Sequence, residues 1–242
     1  MKKLKSLSKL TPFQNFHWQI PVLLVLSAIV LLWKLGQGSL KDWDEAIYAQ
    51  IAKEIVQSGD WLTLHWGYYP WFHKPPLFMW VTALFYRLFE VNEFWARAAS
   101  AFSGISLVIL TYLLGKLVYD KTAGFFAAIV LLTSYRFVGY SRFGTTDMML
   151  ALFVYLAVYA YLKLKDEQPK WWYLVWVACG LAFMTKGIAS LVAPITIFLA
   201  LLLEKKLIST IKTKHFWQGF ILASILVLPW HLAVYFQHGQ VF

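Results

Sequence analysis

The chain has 242 residues, of which 60% are hydrophobic, 19% aromatic and 14% charged; so apolar a composition excludes an ordinary soluble domain and indicates a polytopic membrane protein. The formal net charge of +10 comes from short Lys/Arg clusters between apolar runs, which argues against nucleic-acid binding and for anionic lipid headgroups as the partner of the basic residues. Cys179 is the single cysteine, so no intrachain disulfide can form.

In chain order, Lys2, Lys3, Lys5 and Lys9 precede an apolar stretch over residues 19–36. It is long enough to span and lacks a small-residue exit, so it reads as an anchor helix and not as a cleaved leader. A long loop follows, over residues 36–97. Within it Asp44 is expected to cap a helix over residues 45–57, with Ile47, Ile51 and Ile55 on one apolar face and Ser58-Gly59 ending it. That helix should lie along the membrane surface. Trp61, Trp66, Tyr68, Tyr69, Trp71 and Phe72 form an aromatic belt suited to headgroup depth. Phe72-His73-Lys74-Pro75-Pro76 closes the loop in a stiff turn, because each proline fixes φ and removes a donor.

The apolar run over residues 77–89 is too short to cross and is expected at the interface. Further spans are expected over residues 98–118, 123–140, 148–164, 171–184, 188–203 and 216–235, giving about seven in all at ~20 residues per crossing. With residues 77–89 left on the surface, the segments sharing a side with the N-terminus hold thirteen lysines against four acids, a net of about +9, while the other side carries about +1. The N-terminus and these loops are therefore expected in the cytoplasm. Asp44, Glu45, Lys74, Arg136, Arg142, Asp147, Lys186 and His231 then share the opposite, extracytoplasmic face. The span over residues 171–184 is about 21 Å long at the ~1.5 Å helical rise, which should leave Lys186 slightly sunk. The expected fold is an all-α polytopic helix bundle forming one membrane domain over residues 1–242, with surface helices in its first outer loop.

A resemblance emerges from several segments together. Trp43-Asp44-Glu45-Ala46-x-Tyr48-Ala49, Ser58-Gly59-Asp60-Trp61, Lys74-Pro75-Pro76-Leu77-x-x-Trp80, Arg97, Thr146-Asp147 and Gly180-Leu181-Ala182-Phe183-x-Thr185-Lys186-Gly187 resemble the GT-C class of polyprenol-phosphate-sugar glycosyltransferases. Within that class the likeness is to the aminoarabinose-transferase and protein-mannosyltransferase superfamily, over roughly residues 37–200. It implies transfer of a sugar from a polyprenyl-phosphate donor to a lipid, protein or glycan acceptor, with inversion, in a plasma membrane of bacterial type.

The resemblance also implies roles. Asp44 is the essential acid and general base, Asp147 supports it with Glu45 beside it, and Lys74 and Lys186 bind the donor phosphate with Tyr48 and His73 at the same site. Two positions depart from the aminoarabinose branch, Ile47 where Arg is frequent and His73 where Glu is frequent. Members of that branch are usually about twice as long, so a C-terminal part is expected to be missing.

The residue types suit this chemistry independently. Transfer to a hydroxyl needs a base near the acceptor and cations to hold the charge left on the departing phosphate. No Walker-type loop, dinucleotide fingerprint or zinc-spaced Cys/His cluster is present, so no nucleotide cofactor is expected. A divalent ion on Asp44, Asp147 and His73 stays open. Simpler readings exist for each residue: Asp44 as a helix cap, Glu45 as a first-turn acid, Lys74 as a snorkelling lysine, Arg136, Arg142 and His231 as interface anchors, Glu54 and Asp60 as a solvated face. The alternatives for the whole chain are a transporter or flippase, and a catalytically incomplete membrane fragment. Against a transporter, the charges sit at one rim and no internal repeat is evident.

Overall fold

The computed structural model describes residues 18–164, 168–239 and 242. Lys2, Lys3, Lys5, Lys9, Lys165, Asp166 and Glu167, which enter the charge balance above, lie outside the described residues. The chain runs α1 (Gln19–Leu32), α2 (Asp44–Ser58), a two-stranded hairpin of β1 (His65–Trp66) and β2 (Tyr69–Pro70), α3 (Leu77–Leu88), α4 (Glu93–Val118), α5 (Lys121–Thr133), α6 (Tyr135–Ser141), α7 (Thr146–Lys163), α8 (Trp171–Lys186), a 3-10 turn (Gly187–Leu191), α9 (Val192–Leu203), α10 (Leu207–Ile211) and α11 (Lys214–His238). The result is an all-α membrane bundle with one small hairpin.

Four helical stretches are long and apolar enough to cross a bilayer, Glu93–Val118, Thr146–Lys163, Trp171–Leu203 and Lys214–His238, and the pair α5–α6, bent by 71°, makes a fifth. The difference from the expected seven has two sources. At 14 residues, α1 falls short of the ~20 that a bilayer core requires. The stretch Trp171–Leu203 counts once by length, yet it is folded back on itself as the separate expected spans over residues 171–184 and 188–203 require: Trp172 and Leu201 line one cavity, as do Cys179 and Pro194, whereas a straight helix would set Trp172 and Leu201 about 43 Å apart at ~1.5 Å per residue. Gly187, at φ 55°, makes the turn between these two legs. The apolar run over residues 123–140 is likewise broken, because Ser134 takes an extended conformation between α5 and α6.

Small residues set the helix crossings, as expected where lipid offers no hydrophobic drive for helix association. A Cβ added to Gly115 on α4 would lie 2.5 Å from Cα of Gly124 on α5. At Gly219 on α11 it would lie 2.7 Å from the carbonyl oxygen of Trp172 on α8. Around these crossings α4 packs on α5 and α7, α7 on α8, and α8 on α11.

The first loop has its own core. Tyr48, Ile51 and Ile55 of α2 meet Phe78, Met79 and Tyr86 of α3, with Leu64 and Trp71 between them. Full burial of each such side chain away from water is worth roughly 1.5–3 kcal/mol. Two indole donors hold the loop, Trp80 Nε1 closing it internally onto the Trp61 carbonyl at 2.7 Å and Trp230 Nε1 of α11 tying it to the bundle through the Leu62 carbonyl at 2.9 Å.

Two expectations about this loop are corrected. Asp44 is the first residue of α2 and not its cap; Trp43, at φ 70°, precedes the helix and gives no side-chain cap. The end at Ser58-Gly59 stands, with Gly59 left-handed at φ 74°. Glu54 is no solvated residue but 3% exposed. Its carboxylate accepts from the amides of Gly67 and Tyr68 at 3.0 Å and from Gln50 at 2.7 Å, so it holds the hairpin turn. The Asp60 carboxylate accepts from the amides of Leu62 and Thr63 at 2.9 and 3.0 Å. The hairpin leaves Tyr68 and Tyr69 exposed while Trp71 is buried, so the expected aromatic belt divides into an outer tip and a core residue.

Candidate active site

The N-terminal ends of α2, α3, α4 and α7 and the C-terminal end of α8 meet at one end of the bundle. Five expected residues converge there. Lys74, in the turn before α3, places Nζ 3.8 Å from Oδ2 of Asp44 and 5.4 Å from the centre of the Tyr48 ring. Lys186, the last residue of α8, places Nζ 2.5 Å from Oδ1 of Asp147 in the first turn of α7. A Cβ at Gly187 would lie 3.8 Å from the Pro75 ring, so the Lys-Pro-Pro turn sits against the end of α8 and brings the two ion pairs together. The short span expected before Lys186 thus becomes a helix that carries the lysine to its last turn.

Tyr48 stands between the pairs. Its ring is 1% exposed, and its hydroxyl has no hydrogen-bond partner among the described residues. Burial first, then the negative charges of Asp44 and Asp147, push its pKa well above the ordinary 10. The phenol therefore stays protonated, with its O–H beside the Asp44 carboxylate. Thr146 Oγ1, next to Asp147, is also buried without a partner among the described residues.

The two pairs differ in tightness. Asp44 retains 52% side-chain exposure at a separation from lysine longer than a hydrogen bond, so its carboxylate can accept another partner. Asp147, at 38%, is held closely by Lys186 and accepts from Thr145 Oγ1 at 3.2 Å. His73 lies at the rim, stacked on Trp71 with ring centres 5.3 Å apart and planes at 10°. Among the described residues no group of three His, Cys, Asp or Glu side chains gathers in a way that can hold a metal ion. The suggested set of Asp44, Asp147 and His73 is not assembled, and both of its carboxylates face lysines.

Glu45, one residue from Asp44, occupies a different environment. It is 1% exposed. Its Oε1 accepts from Arg97 Nε and the Gly144 amide, both at 2.9 Å, and its Oε2 from the Lys41 amide at 2.8 Å. Arg97 donates in turn to the carbonyls of Leu35, at 2.9 Å, and Ser39, at 3.0 Å. One buried ion pair thus ties together the end of α1, the start of α2, the start of α4 and the loop entering α7. The Gly144 position allows this approach, since a Cβ there would lie 2.9 Å from the Ala96 carbonyl oxygen. Arg97 carried a sequence signal as part of the motif set, but its partner 52 residues away was not readable.

The remaining expected residues stand apart. Arg142 donates to the carbonyls of Val30 and Leu31 at 3.0 and 3.1 Å, closing the end of α1. Arg136 lies on α6 beside Lys41. His231 Nδ1 bonds the Val227 carbonyl at 2.8 Å within α11, and its ring packs on Phe183.

Residues 73–232 match the model of the dolichyl-phosphate-mannose-protein mannosyltransferase family. The chain is 33% identical, over 88% of its own length and 41% of the relative's, to an undecaprenyl phosphate-alpha-4-amino-4-deoxy-L-arabinose arabinosyl transferase of Pseudomonas savastanoi pv. phaseolicola. Its fold superposes on ArnT of Cupriavidus metallidurans bound to undecaprenyl phosphate with a TM-score of 0.83 at 26% identity, covering 91% of this chain and 42% of that one. The S. cerevisiae protein O-mannosyltransferase Pmt1-Pmt2 complex shares the fold at a TM-score of 0.65 and 20% identity, over 92% of this chain and 33% of that one. The chain spans about two fifths of the length of the curated relatives it matches.

Proposed function

The chain belongs to the dolichyl-phosphate-mannose-protein mannosyltransferase family, and from that membership we propose that it carries the donor site and catalytic base of a GT-C membrane glycosyltransferase. The donor is a polyprenyl-phosphate-linked sugar. The observation that carries this reading is the meeting of two carboxylate–lysine pairs, Asp44–Lys74 and Asp147–Lys186, around the buried Tyr48 at one end of the bundle.

In this reading Lys74 and Lys186 receive the donor's phosphate, which the isoprenoid tail holds at headgroup depth. The phosphate displaces Asp44 from its loose pair with Lys74 and frees the carboxylate as a base. An acceptor hydroxyl attacks the anomeric carbon, Asp44 takes its proton, and the bond from that carbon to the phosphate oxygen breaks. The electron pair leaves with the polyprenyl phosphate, where the lysines stabilise it. A single displacement inverts the anomeric configuration. Tyr48 offers its O–H to a donor oxygen once the phosphate has drawn Lys74 from Asp44, and Asp147 keeps Lys186 in place. Glu45 acts through Arg97 as a positioning residue that fixes the backbone on which Asp44 stands.

The lysine balance of the loops supports a cytoplasmic N-terminus, with the site on the extracytoplasmic side of a bacterial plasma membrane. Two experiments test the proposal. Membranes containing the chain should transfer sugar from the lipid-linked donor, and Asp44→Asn should stop transfer while the donor still binds; unchanged transfer would refute the role of Asp44. With Cys179 replaced, cysteines at Glu90 and Lys170 should label with an impermeant reagent from opposite sides, and labelling from one side would refute the orientation.

A further inference from the structure

A second cationic cleft lies beside the site and takes no part in the chemistry above. Where α5 bends into α6, Lys41, Tyr135, Arg136, Gly139, Tyr140 and Phe143 enclose a space of about 330 Å³. Its two charged members are both cations. Neither Lys41 nor Arg136 has a carboxylate partner among the described residues; Lys41 Nζ instead rests 5.4 Å over the Phe143 ring. Arg142, the residue that follows the same short helix, turns its Nη1 to the α1 carbonyls, whereas Arg136 makes no such bond among the described residues. Two unneutralised cations beside two phenol rings form a setting for a phosphate group, which guanidinium grips through two parallel hydrogen bonds.

The cleft is coupled to the site by its walls. The Lys41 amide and the amide of Gly144, the residue after Phe143, both donate to Glu45. Asp44 stands three positions beyond Lys41, so at most about 11 Å of chain lies between them. An anion held by Lys41 and Arg136 therefore stands close enough to Asp44 for a headgroup attached to it to reach the carboxylate. The helix bearing Arg136 belongs to the bent span α5–α6, which puts the cleft in reach of a molecule resident in the bilayer.

We propose that this cleft binds the phosphate of a second, membrane-resident lipid, the acceptor, at the same time as Lys74 and Lys186 hold the donor. The role as acceptor rests on the donor reading given above. Gly139 provides a probe, because it lines the cleft and a Cβ there meets nothing within 4 Å, so Gly139→Leu adds bulk at the cleft wall.

The test is native mass spectrometry of the detergent-purified chain with polyprenyl phosphate, phosphatidic acid, phosphatidylcholine and inorganic phosphate. The expected result is a ternary complex holding one polyprenyl phosphate and one phosphatidic acid, with phosphatidylcholine bound far more weakly. The double variant Lys41→Gln/Arg136→Gln, and separately Gly139→Leu, should lower phosphatidic acid retention by about tenfold, which corresponds to ~1.4 kcal/mol, and leave polyprenyl phosphate retention unchanged. Mutual exclusion of the two lipids would overturn the proposal, as would phosphatidic acid retention that ignores all three substitutions. Inorganic phosphate binding as well as phosphatidic acid would assign the cleft to a soluble anion and overturn the lipid assignment. If polyprenyl phosphate does not bind the unaltered chain, the donor reading fails and the acceptor role falls with it, even where phosphatidic acid still binds at Arg136.

Discussion

Asp44 and Glu45 are neighbours in sequence and opposites in environment. Glu45 is sealed, with Arg97 and two backbone amides on its oxygens; Asp44 is half exposed and only loosely paired with Lys74. A carboxylate with every lone pair engaged in a dry place holds structure together, because removing its partner strands a charge. One at an open rim facing a mobile ammonium can exchange partners, and chemistry requires that exchange. The comparison teaches that an acidic pair in a motif need not be one functional unit.

Breaking the sealed pair should produce the largest effect. Arg97→Ala leaves Glu45 buried and unpaired, a loss of about 3–5 kcal/mol, so the chain should fail to accumulate as folded protein when expression and thermal unfolding in detergent are measured. Glu45→Gln keeps the shape and should unfold at an intermediate temperature. At the open pair the effect moves from folding to rate. Asp44→Asn should lower transfer by roughly 10²–10⁴-fold, the usual worth of a general base, with a midpoint of unfolding close to that of the unaltered chain, since exposed pairs contribute only about 0–1 kcal/mol.

These contrasts also mark what the sequence revealed. The apolar runs were legible because composition alone marks a bilayer-length helix, and the rim of charges was legible because loops between such runs alternate sides. The division of labour between Asp44 and Glu45 was not, since the partners of Glu45 come from residues 97 and 144, which only the folded chain brings near. Glu54 illustrates the same limit. It follows Ile51 by three positions and shares the buried face of α2, yet the hairpin amides that accommodate its charge lie 13 and 14 residues on. The bend at Ser134 hid for another reason: hydropathy averages over a window and does not register a single residue leaving helical geometry, whereas the reversal at Gly187 falls between the spans expected over residues 171–184 and 188–203.

Smaller effects sharpen the contrast. Lys74→Ala should weaken donor binding by about tenfold or more, in line with ~1.5–3 kcal/mol for a hydrogen bond to a charged group, and leave folding untouched; equilibrium binding of polyprenyl phosphate reads this directly. Glu54→Gln should cost about 1–3 kcal/mol by leaving a hairpin amide without its acceptor, visible as faster amide exchange at Gly67 and Tyr68. Tyr48→Phe should have the smallest effect, a several-fold loss of transfer near neutral pH. Its linkage has a definite sign. Because the folded pKa is raised above the ordinary 10, the unfolded chain releases this proton first, so Tyr48 lowers stability only as pH climbs beyond 10. Unfolding followed from pH 9 to 11 should therefore fall less steeply in Tyr48→Phe than in the unaltered chain.

The central claim is that Asp44 performs the chemistry while Glu45 holds the ground beneath it. It is tested most directly by measuring transfer from a polyprenyl-phosphate-linked sugar by Asp44→Asn in membranes, normalised to inserted protein and set beside donor binding by the same sample. The account predicts that transfer is lost while donor binding and the unfolding temperature are retained. Transfer at the unaltered rate would contradict it.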